Sequence, residues 1–138
     1  MKRLLLVISL IIVVAAGTRA QVAVIANKSA GVSSATASTV ADIYTLSTKE
    51  WKDGSAVVVF DLKTEGATRT KFYEFIGKSP IELKKVWMRT QLSGEGKAPS
   101  VVGSEEEMVQ KVASTPGAIG FVSASKVSGD VKLLATIN

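Results

Sequence analysis

Apolar residues recur along the chain at two spacings, and each spacing predicts one kind of element. Continuous apolar and β-branched runs at 21–26, 56–60, 118–122 and 131–137 are typical of strands buried on both faces, as in a parallel sheet. Apolar residues three and four positions apart predict helices near 40–44, 70–76, 80–92 and 105–114. The order is β-α-β-α-α-α-β-β, with a brief extended piece at 101–102, and it predicts a single α/β domain.

Small polar residues mark where these helices begin and end. Helix starts are predicted at Ser38 or Thr39, at Ser79 and at Ser104, because serine and threonine side chains cap free backbone N–H groups. Gly77 is expected to end the helix at 70–76, since glycine adopts the left-handed conformation of a helix stop at little cost. Gly120, inside a predicted strand, should allow a neighbouring backbone to approach closely, and Trp51 is interpreted as a core residue.

The helix at 80–92 is predicted to bury a broad apolar face. That face comprises Ile81, Leu83, Val86, Trp87 and Met88. Its cations, Lys84, Lys85 and Arg89, fall on the other side, where they are either solvated or attract a partner.

The turn between the strand at 56–60 and the helix at 70–76 is the candidate functional end of the molecule. A strand, a turn of small residues and a helix start together aim free backbone N–H groups at one spot, which suits an oxyanion. Ligand contacts are expected from Thr64, Gly66, Ala67, Thr68 and Arg69, with Ser29 as a lesser candidate. Ser29 lies in the loop at 27–37, which is either a flexible connection or a binding loop.

The first twenty residues have a pattern of their own. Lys2 and Arg3 precede an apolar run at 4–16, and Thr18-Arg19-Ala20 supplies the small residues of a cleavage site. The pattern predicts a signal peptide at 1–20, a mature domain at 21–138, and a periplasmic or secreted location. An uncleaved membrane anchor is the alternative, although the apolar run is short for a membrane span.

Composition and charge exclude several classes of function. The chain has no cysteine and no histidine, which removes disulfides, thiolate metal sites and Ser-His-Asp hydrolases. Without Lys2, Arg3 and Arg19, the 17 basic residues become 14 against 12 acidic ones, a net charge of +2. That small excess removes the main support for nucleic-acid binding. No metal, cofactor or enzymatic activity is predicted, and Lys28-Ser29 and Glu105-Glu106 indicate no specific reaction.

Several stretches together resemble the phosphate-binding subunits of ABC transporters, within the type II periplasmic binding protein superfamily. They are VAVIANK at 22–28, residues 40–44 with WKDG at 51–54, residues 65–72, GKSP at 77–80 with Trp87, and 104–122 ending in TPGAIGFV. The resemblance covers nearly all of 21–138. It implies one three-layer-like lobe of that fold, with a mostly parallel central sheet flanked by helices.

The resemblance also implies a binding turn with the pattern R-x-x-x-S-G-T. Aligned on Thr68, the serine of the pattern falls on Gly66, its glycine on Ala67 and its arginine on Leu62, so only the threonine is kept. Lys63 or Arg69 could supply the missing charge. Each lost charge-assisted contact is worth about 1.5–3 kcal/mol, and one lobe covers only part of a ligand, so weak binding is expected.

Two functions follow from this resemblance. The first is an exported solute-binding-like protein for phosphate or a related oxyanion in ABC-type phosphate uptake, with a partner lobe or second copy and a transporter permease as partners. The alternative is a protein-interaction module that keeps the fold without the ligand.

Overall fold

Residues 21–138 are described by the computed structural model, and the predicted signal peptide at 1–20 lies outside them. The strands are β1 (Val22–Ala26), β2 (Val58–Leu62), β3 (Ser100–Val102), β4 (Ala118–Ser123) and β5 (Lys132–Ile137). The helices are α1 (Ala37–Tyr44), α2 (Ala67–Ile76), α3 (Pro80–Leu92) and α4 (Glu105–Ser114), and a 3₁₀ turn (Ala124–Lys126) follows β4.

The strands form one sheet in the order β3-β2-β4-β1-β5. Strand β2 runs parallel to β3 and β4, whereas β1 runs antiparallel to β4 and β5. The predicted α/β lobe with helices around a central, mostly parallel sheet is confirmed, since β2, β3, β4 and β5 point in one direction and β1 alone of the described strands runs against them. An apolar run reports burial on both faces, and burial does not fix the direction of a strand.

Side chains that alternate across β4 show which helices cover each face of the sheet. Phe121 stacks on Phe72 of α2 with ring centroids 3.8 Å apart, and Tyr44 of α1 lies beside it. Gly120 faces the other way, against Met108 of α4. Helices α1 and α2 therefore cover one face and α4 covers the other, which makes the predicted three layers.

Most of the predicted helix ends are confirmed. Ser79 caps α3 by accepting a hydrogen bond from the Glu82 amide, and Ser104 caps α4 by accepting one from the Glu107 amide. Gly77 ends α2 with a left-handed φ of 67°.

The start of α1 was predicted too late in the chain. Thr36, not Ser38 or Thr39, is the cap, and its hydroxyl accepts the Thr39 amide at 3.2 Å. The segment contains several hydroxyl residues of similar capping ability, so the sequence alone leaves the register open. Helix α2 also begins earlier than 70, directly after Gly66.

The broad apolar face predicted for α3 is wrong for Ile81 and Met88, which are 68% and 63% exposed. Only Leu83 of this helix is fully buried. The half-buried Trp87 donates its indole N–H to the carbonyl of Tyr44 at 2.7 Å. Helix α3 therefore contacts the core through a narrow strip of its surface. Its other apolar side chains lie outside that strip and are exposed to solvent.

Trp51 is a core residue, as expected, and donates its indole N–H to the carbonyl of Gly117 at 2.9 Å. In the part of the chain that the structure describes, no helix is both long and apolar enough to cross a membrane.

Gly120→Ala tests the contact between β4 and α4. The close neighbours of Gly120 are α4 side chains, and an added Cβ would overlap the sulfur of Met108 and lie 3.0 Å from a methyl group of Val112. We expect a loss of about 1–3 kcal/mol in the free energy of unfolding, measured with urea. Gly129→Ala is the control, since nothing lies within 4 Å of its added Cβ. Equal stability of the two variants would contradict this packing.

Candidate functional site

The turn between β2 and α2 lies at the carboxyl end of β2 and is open to solvent. Gly66 is the N-cap residue of α2, with φ at 152°, and no side chain caps the helix start. Thr64, Gly66 and Ala67 are exposed. The first N–H groups of α2 have no partner within an α-helix, so this start retains the donors that an oxyanion could accept.

The start of α4 forms the opposite wall of the same opening. Strands β2 and β3 are parallel neighbours, so the segments that follow them lie side by side. The Thr64 hydroxyl donates to the carbonyl of Gly103 at 2.8 Å across the gap. The result is a cavity of about 320 Å³, here called the helix-start cleft, lined by Leu62, 64–68 and 104–106.

The carboxylate of Glu105 accepts hydrogen bonds from donors at this cleft. The Thr68 hydroxyl donates to Glu105 Oε1 at 3.3 Å, and the Ser123 amide donates a short hydrogen bond to the same oxygen. The Ser123 hydroxyl lies 3.0 Å from that of Thr68. Since a threonine has one O–H proton and Thr68 gives it to Glu105, the Ser123 hydroxyl donates to Thr68. The Glu105 carboxylate therefore occupies the Thr68 hydroxyl, which is expected from the sequence to contact a ligand anion.

The charges around the helix-start cleft are negative. Glu65, Glu105 and Glu106 line it, and no lysine or arginine is among its described lining residues. Lys126 offsets Glu106 from outside, with Nζ 2.7 Å from Oε1, and this hydrogen bond lowers the pKa of Glu106. Two helix N-termini are the remaining source of positive potential for a bound anion.

Arg69 does not supply the missing charge, because its side chain turns away from the helix-start cleft. The guanidinium carbon lies 4.7 Å from the centre of the Tyr73 ring, and Nη2 lies 3.9 Å from Asp61 Oδ2. Arg69 lines a second groove of about 710 Å³, here called the side groove, which extends along α2 to the start of α3 and shares Glu65 and Gly66 with the cleft. Its buried Nε has no hydrogen-bond partner among the described residues.

Asp61 and Tyr73 form a buried polar pair beneath Arg69. This pair is not among the sequence-based predictions. The Tyr73 hydroxyl lies 2.8 and 2.9 Å from the two carboxylate oxygens of Asp61. Burial raises the pKa of Asp61, although the Tyr73 hydrogen bond and the Arg69 charge oppose the rise. Burial and the nearby carboxylate also raise the pKa of Tyr73. The sequence feature that could have indicated this pair is Asp61 itself, a single aspartate directly after the apolar run at 56–60.

Ser29 is at the other end of the sheet from Thr68. Its hydroxyl accepts the Gly117 amide at 3.0 Å, just before β4, whereas Thr68 contacts Ser123 at the end of β4. The six residue steps between these contacts span about 20 Å of strand. Ser29 therefore does not belong to the helix-start cleft. Thr64, Gly66, Ala67 and Thr68 do come together there, and ligand contact by them stays a prediction.

Within residues 21–138, no three or more acidic side chains lie close enough together to bind a metal ion.

Solved structures share this fold. A Clostridium perfringens protein assigned as a phosphate ABC transporter substrate-binding protein, with bound phosphate, is 24% identical over 83% of this chain and 45% of its own, with a TM-score of 0.68. An ABC-type phosphate transport receptor from Vibrio cholerae is 22% identical over 83% and 46%, with a TM-score of 0.65. PstS from Borrelia burgdorferi is 16% identical over 84% and 47%, with a TM-score of 0.60.

The chain thus spans about half the length of the solved structures that it matches. No protein-family model and no curated protein matches it. The expected resemblance is confirmed for the fold, which is that of a single lobe of the type II periplasmic binding proteins.

Asp61→Asn tests the buried carboxyl group. A raised pKa means that the native state binds a proton more readily than the unfolded chain, so the contribution of Asp61 to stability is present below its unfolded pKa of about 4 and falls as pH rises through the raised value. The D61N protein lacks this titration. It should therefore gain stability relative to wild type as pH rises above about 4, measured as the difference in urea midpoints at each pH. A wild-type protein that gains stability relative to D61N as pH rises would show that the Tyr73 hydrogen bond and the Arg69 charge outweigh burial.

Proposed function

We propose that this chain is a solute-binding lobe for phosphate or a related oxyanion. The observation that carries the proposal is the exposed, glycine-capped start of α2, which opens into a cleft at the carboxyl end of β2. The similarity in fold to phosphate transport receptors supports it. In this proposal, the amides of Ala67 and Thr68 hold the anion, and the chain performs no catalysis.

Binding by the isolated lobe should be weak. A helix N-terminus contributes about 0.3–1 kcal/mol at an exposed surface, and each charge-assisted hydrogen bond about 1.5–3 kcal/mol. One or two such bonds, opposed by the cleft carboxylates, correspond to a Kd of about 1 mM, or about −4 kcal/mol. Tighter binding requires a second lobe to close over the anion.

The wider role follows from the proteins that share the fold. We propose that the chain acts outside the cytoplasm, as the pattern at 1–20 predicts, in ABC-type phosphate uptake. A partner lobe or a second copy would complete the binding cleft, and a transporter permease would receive the anion.

Ala67→Asp tests the amide site. A carboxylate in the first turn of α2 should stabilise the helix by about 0.3–1 kcal/mol while repelling a second anion from the same amides. We expect phosphate binding, measured by calorimetry, to weaken by more than about tenfold, or about 1.4 kcal/mol, with no loss of thermal stability.

Thr70→Asp is the matched control for this prediction, because it adds the same charge one turn further along α2, where Thr70 lines the side groove. Its phosphate affinity should change by less than about threefold. Equal losses in both variants would show only a general charge effect. Absence of heat and of any thermal shift in wild type at millimolar phosphate would refute the proposal for the isolated chain.

A protein-interaction module is the second candidate, and the outer surface of α3 favours it. Ile81, Met88 and Leu92 are 68%, 63% and 82% exposed on this helix. Large apolar side chains exposed on one helix are typical of a surface that contacts another protein.

Met88→Glu tests this second candidate. If α3 contacts a partner lobe or a second copy, association detected by light scattering or cross-linking should weaken, because a carboxylate would be buried in the contact. Leu133→Glu is the control, since Leu133 is also exposed but lies on β5. A wild-type chain that is monomeric at all concentrations and captures no partner would contradict this candidate.

A further inference from the structure

We propose that Glu105 is an internal competitor for the anion, and that its carboxylate must leave the helix-start cleft before an oxyanion binds tightly. This inference rests on the proposed function. It identifies the residue that limits affinity and the donors that become available when the residue moves.

The geometry of Glu105 is that of a bound anion. One carboxylate oxygen accepts a hydroxyl from α2 and a backbone amide from the end of β4. The carboxylate thereby links α2, α4 and β4 through a single oxygen. Donors from separate elements that converge on one oxygen are the arrangement that holds external oxyanions in proteins.

Displacement of the carboxylate would expose a fuller set of donors than the α2 amides alone. The Thr68 hydroxyl and the Ser123 amide would both be available to an incoming oxyanion. The movement requires only rotation of the Glu105 side chain, which is partly exposed beside an open cavity. Its hydrogen bond to Thr68 is long, at 3.3 Å, so the short bond from the Ser123 amide is the main contact that an incoming oxyanion has to replace.

The other two glutamates of the α4 start are engaged elsewhere. Glu106 pairs with Lys126, and Glu107 accepts the Gly103 amide at 2.9 Å. Only Glu105 of the three therefore lies on the donors of the helix-start cleft. The stabilising effect of an acidic first turn on the helix would apply to all three and does not explain this difference.

Glu105→Gln tests the inference, with inorganic phosphate as the probe in calorimetry. Glutamine keeps the size of the side chain but removes the charge that both holds the donors and repels the ligand. We expect phosphate affinity to rise by about tenfold or more over wild type. Glu107→Gln is the matched control, because it removes the same charge from the same helical turn outside the cleft, and its affinity should change by less than about twofold.

A second substitution shows whether the gain uses the predicted donors. Adding Thr68→Val to the E105Q protein should remove most of the increase in affinity, because the hydroxyl released by Glu105 is then absent. An increase that survives T68V would overturn the assignment of these donors.

The outcomes separate the two proposals. If wild type binds phosphate and E105Q binds equally or more weakly, the competitor role is refuted while the solute-binding function stands. If neither protein binds phosphate, both are refuted. Binding by E105Q alone would support the competitor role and refute phosphate binding by the wild-type chain as it stands.

Discussion

Parallel pairing of β2 with β3 is the constraint on which the candidate site depends. Parallel strands end at the same edge of a sheet, so the segments that follow them meet there. In this chain those segments are the glycine-capped start of α2 and the serine-capped start of α4. Neither helix start forms a cleft alone. The bond from the Thr64 hydroxyl to the Gly103 carbonyl joins them into one opening.

The same edge of the sheet separates positive from negative charge. Arg69 lies over Tyr73 and near the buried Asp61, and it is not among the residues that line the helix-start cleft. The cleft is left with carboxylates, and its best-placed donors are satisfied by one of them. The lining of the cleft therefore combines free backbone donors with carboxylates and contains no lysine or arginine among its described residues, so the proposed anion binding is expected to depend strongly on a partner.

Much of the architecture could be predicted from the sequence. Capping residues such as Ser79 and Ser104 act through their immediate neighbours, so local patterns identified them. The buried strand runs and the helix stop at Gly77 are equally local. The direction of β1 and the exposure of Ile81 depend on which elements pack together, and no local pattern carries that information.

The site was predictable only in part, for the same reason. The turn at 64–68 was identified because strand, turn and helix follow one another in the chain. Glu105 and Ser123 approach it from 37 and 55 residues away, through the pairing of strands. Arg69 is predicted to contact the ligand because it follows the turn directly in the sequence. Its position on α2 directs its side chain toward Tyr73 and Asp61 instead.

The conformation of Gly66 limits which residues this turn can accept. The R-x-x-x-S-G-T pattern of the proteins that the sequence resembles has a serine at this position, but the backbone here has φ at 152°, which residues with a Cβ rarely adopt. Substitution of Gly66 by serine would therefore strain the start of α2. The opposite wall, where α4 begins, is not subject to this constraint, so its side chains can be exchanged without strain at the start of α2.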